Sequence, residues 1–170
     1  MIAFPLVTER LLLRPMEPGD EEALHGIWSH PATLLPLSHH GPWPRRATSN
    51  RLAQKIAHQA AHGFAVWAAC ERDGGRVVGE CGLQRLEGGA EIEVGWRMDP
   101  DVHGRGYASE AGRASLQAGF GALALDRIVA VIEPGNRASR RVAEKLGMEI
   151  AGHGRHYGRE TLVYEARRGA

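Results

Sequence analysis

The residues best suited to chemistry lie between positions 92 and 111. Ile92-Glu93-Val94-Gly95-Trp96-Arg97-Met98 is an apolar, strand-forming run that breaks at the turn Asp99-Pro100-Asp101-Val102. His103-Gly104-Arg105-Gly106-Tyr107-Ala108-Ser109 then opens directly into an Ala-rich helical pattern. A strand, a glycine loop and a helix N-terminus in that order make an anion site, because unpaired backbone N–H groups converge there and the helix dipole favours negative charge. Gly104 and Gly106 let the backbone approach a phosphate with no Cβ in the way. The pattern therefore predicts a phosphorylated ligand. It is not a dinucleotide loop, since Ser109 stands where a third glycine would be needed, and no Gly-Lys-Ser/Thr occurs to make a P-loop.

Other reactive side chains are less well placed. His58 and His62 are four apart on a helical stretch, a spacing that can bind zinc, but no third ligand is placed by the sequence and a polar helix face explains them. Cys70 and Cys81 lie in strands, away from any helix N-terminus that would activate a thiol, which argues against an acyl-enzyme.

The elements that must position these groups follow from periodicity. Leu6 to Met16 reads as one strand. A helix from Asp20, its expected N-cap, to Ser29 carries Ala23, Leu24, Ile27 and Trp28 on one side. His30 to Arg46 reads as an irregular loop and Ser49 to His62 as a second helix with Leu52, Ile56 and Ala60 on one face. Strands at 64–71 and 76–86 flank the hairpin signal Asp73-Gly74-Gly75, and a strand over 90–98 follows Gly88-Gly89. Then come a helix over 106–121, a strand over 127–132, a helix over 137–146 stopped by Gly147, and short strands at 149–151 and 161–166. Trp28, Trp67 and Trp96 read as core aromatics. Hairpin-linked strands followed by strand–helix–strand–helix imply a mixed α/β fold, not an all-parallel sheet.

His103 to Ala108 resembles the pyrophosphate loop of the GCN5-related N-acetyltransferases (GNATs), Gln/Arg-x-x-Gly-x-Gly/Ala, with His103 in place of the usual first residue. Thr8-Glu9-Arg10-Leu11-Leu12-Leu13-Arg14-Pro15 resembles the opening strand of the branch that contains the ribosomal-protein alanine acetyltransferases. Glu93-Val94-Gly95-Trp96 with Pro100 and Glu110-Ala111 resembles its central block. Asn136-Arg137-Ala138-Ser139, with Val142 and Glu144-Lys145-Leu146-Gly147, resembles its last helix. The resemblance implies a mainly antiparallel sheet of about seven strands with helices on both faces, formed by residues 1–170 as one domain. It also implies acetyl-coenzyme A as co-substrate, with its pyrophosphate on residues 103–109 and its acetyl carbonyl against the strand edge near Trp96, Arg97 and Met98. Asn136 and Ser139 would border the pantetheine arm, with Ser139 as the acid that protonates the departing thiolate or as a residue that only fills the first helical turn. Glu93 leads as base or amine anchor, with Glu91 on its face and Glu80 on the neighbouring strand. His39, His40 and Trp43 would contact the acceptor.

The resemblance to the ribosomal-protein alanine branch implies a peptide or protein N-terminal α-amine as the acceptor. Acid–base arithmetic suits it: a lysine amine, pKa about 10.4, is neutral only about one part in 10³ at pH 7, whereas an α-amine, pKa about 7.7–8.0, is about one-tenth neutral and needs little help. A small amine such as a polyamine or aminoglycoside is the alternative, and a non-catalytic coenzyme A-binding module a second. Bulk composition fits either enzyme. The 170 residues are 43% hydrophobic with a net charge of +1, which gives no broad attraction for nucleic acid. No run approaches the roughly 20 apolar residues of a membrane span. Two cysteines make no disulfide framework, so a cytoplasmic monomer or homodimer is expected.

Overall fold

The computed structural model describes residues 1–34 and 43–169. Eight strands form one sheet: β1 (Leu6–Val7), β2 (Leu11–Arg14), β3 (Val66–Glu71), β4 (Val77–Arg85), β5 (Ile92–Met98), β6 (Arg127–Ile132), β7 (Glu149–His156) and β8 (Arg159–Arg167). Their order is β1-β2-β3-β4-β5-β6-β8-β7. Every neighbouring pair is antiparallel except β5 and β6, which are parallel and register at one position, Glu93 with Val129. The helices are α1 (Glu21–Ser29), α2 (Pro31–Leu34), α3 (Arg45–His62), α4 (Tyr107–Gly121) and α5 (Arg137–Lys145). The mixed, mainly antiparallel sheet with helices on both faces is as the sequence implied.

Strand alternation divides the core. Leu11, Leu13, Trp67, Cys81, Leu83 and Val94 turn toward α4, whose Tyr107, Ala111, Leu116 and Ala118 complete that layer. Val66, Ala68 and Cys70 turn the other way, onto Leu24, Ile27 and Trp28 of α1 and Leu52 of α3. Trp28 and Trp67 are fully buried and Trp96 is half-buried against the α4 layer. Among the described residues no helix is long and apolar enough to cross a membrane.

Several expected boundaries move. The strand expected over 6–16 is two antiparallel strands, because Thr8 Oγ1 bonds both the carbonyl and the amide of Leu11 and closes a tight turn. Asp20 does not cap α1 with its side chain. It is buried against Arg14, with oxygens 2.6 and 2.9 Å from the guanidinium. Part of the expected loop is helical: α2 is a short helix, and α3 starts at Arg45, where Pro44 serves as an N-cap that needs no N–H. The last two strands are longer than expected and form a hairpin turned by Tyr157 and Gly158, both with positive φ. Gly147, also left-handed, ends α5 as expected, with the Met148 N–H returning to Ala143 O at 3.0 Å.

Candidate active site

β5 delivers the chain into the glycine loop, and the loop is held from outside. Arg10 donates to Arg105 O at 2.8 Å and pairs with Glu110 at 2.6 Å. Its guanidinium also lies 4.9 Å from the centre of the Tyr107 ring. Tyr107 donates to Glu71 at 3.0 Å, and His103 Nε2 donates to Met98 O at 3.1 Å, so the His103 ring folds back on the strand end. Gly104 and Gly106 both have φ +81°, the left-handed conformation that glycine adopts without strain. The N–H groups of Gly104, Gly106, Tyr107, Ala108 and Ser109 find no acceptor among the described residues, whereas Glu110 N–H bonds back to Gly106 O at 3.0 Å. Five unpaired donors at one helix N-terminus, braced by Arg10, make a preformed oxyanion cradle.

The strand edge beside it is also open. Asp99 N–H donates to Val78 O, so by ladder alternation Glu93, Gly95 and Arg97 direct their N–H groups at β4. Val94, Trp96 and Met98 direct theirs at β6. The Glu93–Val129 pairing engages Val94, and beyond it β5 and β6 diverge, leaving Trp96 and Met98 donors facing the gap. Across the gap, β6 leads into α5. The Asn136 side chain caps this helix by accepting from Ser139 N–H at 3.0 Å, as its position in the sequence indicated. The Ser139 hydroxyl is half-buried and has no hydrogen-bond partner among the described residues.

Glu93 stands where the gap closes, 5% exposed, on the face toward α3. One of its oxygens, Oε1, accepts from both Gln84 Nε2 and Tyr157 Oη, while Oε2 has no partner among the described residues. Lys55 of α3 donates to the other end of the Gln84 amide. Burial raises the Glu93 carboxyl above the usual carboxylate range, against the two hydrogen bonds that favour its ionised form. Burial also lowers the Lys55 ammonium to about 8. An open pocket of about 480 Å³, lined by His58, His62, Gln84, Arg85, Glu87 and Tyr157, shares Gln84 and Tyr157 with this group.

Below the same face lie Arg51, Glu80 and Arg97. Glu80 accepts from Arg51 at 2.9 Å, while Arg97 Nε is 4.0 Å away, beyond hydrogen-bond length. Burial alone would raise the Glu80 carboxyl, but Arg51, Arg97 and Lys55 outweigh it and hold it low. Burial lowers the Arg97 guanidinium to about 10.

The remaining expected residues fall elsewhere. Glu91 is on the surface and pairs with Arg127, so it does not share the Glu93 site. His58 donates from Nδ1 to Phe64 O at 2.8 Å and accepts the Arg85 N–H at 3.5 Å on Nε2, so both ring nitrogens serve the fold. Trp43 packs against the α1–α3 core with its indole N–H buried and without a partner among the described residues. His39 and His40 lie outside the described residues. Burial raises the Cys81 thiol to about 12, which leaves it inert.

This geometry has counterparts. Residues 10–149 match the acetyltransferase (GNAT) domain. The chain belongs to the GNAT acetyltransferase family. It is 34% identical over 163 residues to the uncharacterized protein YkkB of Bacillus subtilis, covering 94% of both chains. A GNAT-family acetyltransferase structure from Bacillus anthracis superposes with a TM-score of 0.83 at 28% identity, over 96% of this chain and 98% of that one. Mycobacterium smegmatis RimJ, in complex with CoA-disulfide, shares the fold at a TM-score of 0.77 and 22% identity, over 92% of this chain and 81% of its own. Enzymes of the GNAT family use acetyl-coenzyme A.

The positions that sequence reasoning missed in this GNAT domain are Lys55, Gln84 and Tyr157. Gln84 was within reach: the Gly88-Gly89 turn folds β4 onto β5 and sets Gln84 opposite Glu93. Lys55 and Tyr157 reach the carboxylate only through helix and hairpin packing, and no local pattern marks them.

Proposed function

We propose that this chain transfers the acetyl group of acetyl-coenzyme A directly to a primary amine, with the N-terminal α-amine of a peptide or protein as the favoured acceptor. The cradle at Gly104 to Ser109 fits the pyrophosphate of such a co-substrate, and the Trp96 and Met98 N–H groups fit the pantetheine arm and thioester carbonyl. The co-substrate, when bound, supplies an activated acyl carbon. Donors aimed at a carbonyl oxygen that gains charge in the reaction contribute about 2.7–4 kcal/mol each. Glu93 takes a proton from the acceptor's ammonium on Oε2, which frees the amine lone pair to attack, while Gln84 and Tyr157 hold Oε1 in place. A carboxyl raised by burial is a better match to an α-amine of pKa about 7.7–8.0 than an ordinary glutamate, so transfer to the base is easier. Ser139, on the first turn of α5 with its hydroxyl unengaged, gives a proton to the departing thiolate. The reading rests on one observation above all: a buried carboxylate, half anchored and half free, at the point where the two parallel strands part.

The test is the pH–rate profile of Glu93→Gln beside the wild type, with a peptide α-amine and an alkyl amine as acceptors. Loss of the acidic limb of kcat/KM in the variant is expected. Identical profiles would remove Glu93 as base, and transfer to the alkyl amine alone would overturn the α-amine preference.

A further inference from the structure

The guanidinium of Arg97 makes no hydrogen bond among the described residues. Its side chain is 15% exposed, and its ionic neighbour among those residues is Glu80, whose Oε1 is 4.0 Å away and accepts from Arg51. Holding a largely desolvated guanidinium without acceptors from these residues is costly. Arg51, Lys55 and Arg97 together face one fixed carboxylate, Glu80, with Glu93 beyond. The local excess is positive on a chain whose net charge is only +1.

Glu93, Gly95 and Arg97 lie on one face of β5 by strand alternation. A Cβ placed on Gly95 would meet no atom of the described residues within 4 Å, so among these residues the sheet between the carboxylate and the guanidinium is uncovered. Four residues of strand put the two about 13 Å apart along the backbone.

We infer that the acceptor site is built for a dipolar substrate, whose amine lies over Gly95 beside Glu93 and whose oxyanion, a carboxylate or a phosphate, is held by the Arg97 fork. This deepens the acetyl-transfer reading above and rests on it. A guanidinium presents paired donors that match either oxyanion, which an ammonium does not. Arg51, stacked 4.8 Å from the Trp28 ring, bonds Glu80 Oε1 at 2.9 Å, and Glu80 Oε2 is buried with no partner among the described residues.

The experiment measures kcat/KM of the wild-type protein with acetyl-coenzyme A, followed by thiol release. The acceptors are peptides alike except for Glu, phosphoserine, Gln or Ser at the second position, together with 4-aminobutyrate and butylamine. Within each pair that turns over, the anionic acceptor should be favoured tenfold or more, about 1.4 kcal/mol. The Glu and phosphoserine arms tell a carboxylate site from a phosphate site. Equal or reversed values within the pairs overturn the inference and leave the α-amine reading standing. Turnover of the alkyl amines alone would end the α-amine reading, and the ratio of 4-aminobutyrate to butylamine then decides the inference. Arg97→Gln should abolish the preference, mainly through the KM of the anionic acceptor, and Arg97→Lys should restore part of it. A preference that survives in folded Arg97→Gln removes Arg97 from the assignment. Should Arg97→Gln not fold, the wild-type ratios still decide.

Discussion

Removing a single hydroxyl tests whether Glu93 titrates in the reaction. Tyr157→Phe keeps the ring and the backbone N–H that donates to Glu87 at 2.9 Å, so the β7–β8 turn should persist. It deletes one of the two hydrogen bonds to Glu93 Oε1 and leaves Gln84. A hydrogen bond to an ionised group contributes about 1.5–3 kcal/mol. Each 1.36 kcal/mol moves a titration by about one pH unit. Because Tyr157 is 51% exposed and water can replace part of the bond, the lower end applies. The sign is fixed: the lost bond favoured the carboxylate, so the already raised Glu93 carboxyl rises further and its base form is lost at a higher pH. The acidic limb of kcat/KM should therefore move up by about one pH unit, with roughly a tenfold loss below it and little change on the plateau. The assay is kcat/KM for one peptide acceptor across pH 5.5 to 9, with thermal melts to confirm folding. A limb that stays in place while the protein is folded would refute the argument that Tyr157 tunes a catalytic carboxylate.

Two further substitutions address the other half of the site. Gly106→Val imposes a branched side chain at φ +81°, with its Cβ 3.5 Å from the Arg10 guanidinium, at the centre of the unpaired donors. Calorimetry should show coenzyme A binding weakened tenfold or more, about 1.4 kcal/mol, and unchanged affinity in a folded variant would dismiss the loop as the pyrophosphate cradle. Ser139→Ala should lower kcat by about 10² or more with coenzyme A affinity intact, because the Asn136 cap uses the backbone of Ser139 and not its hydroxyl. Wild-type turnover would exclude it as the proton donor.

Local signals recovered most of the scaffold. Asp73-Gly74-Gly75, Gly88-Gly89 and Gly147 each mark a boundary that the backbone keeps, and the Asn136–Ser139 cap is legible because its offset is a fixed property of helix starts. The failures share a cause. Thr8 breaks an alternating strand with a side-chain hydrogen bond that mimics a backbone turn, and Tyr157 adopts a positive φ that its type rarely takes. β7 runs past the short strand that the sequence implies because a half-exposed edge strand containing Gly152, His153 and Gly154 has no hydrophobic alternation to betray it. At the site, Glu93 and the glycine loop belong to one contiguous block and could be read together. The partners that set the chemistry of Glu93 arrive from positions 55, 84 and 157, and only tertiary packing brings them there.

The single registered pair between β5 and β6 divides the sheet into a five-strand piece and a three-strand piece, stitched at Glu93 and Val129. An extended ligand laid in the opening beyond that stitch would take the hydrogen bonds that a neighbouring strand normally takes, and so act as a temporary strand joining the two pieces. The bound reactant then adds to the cohesion that the core shared by the two pieces supplies. By mass action, a hundredfold excess of ligand over its Kd would add about 2.7 kcal/mol to the folded state. Acetyl-transfer and mechanical integrity would share one seam, closed while the reactant is held and loosened each time the product leaves.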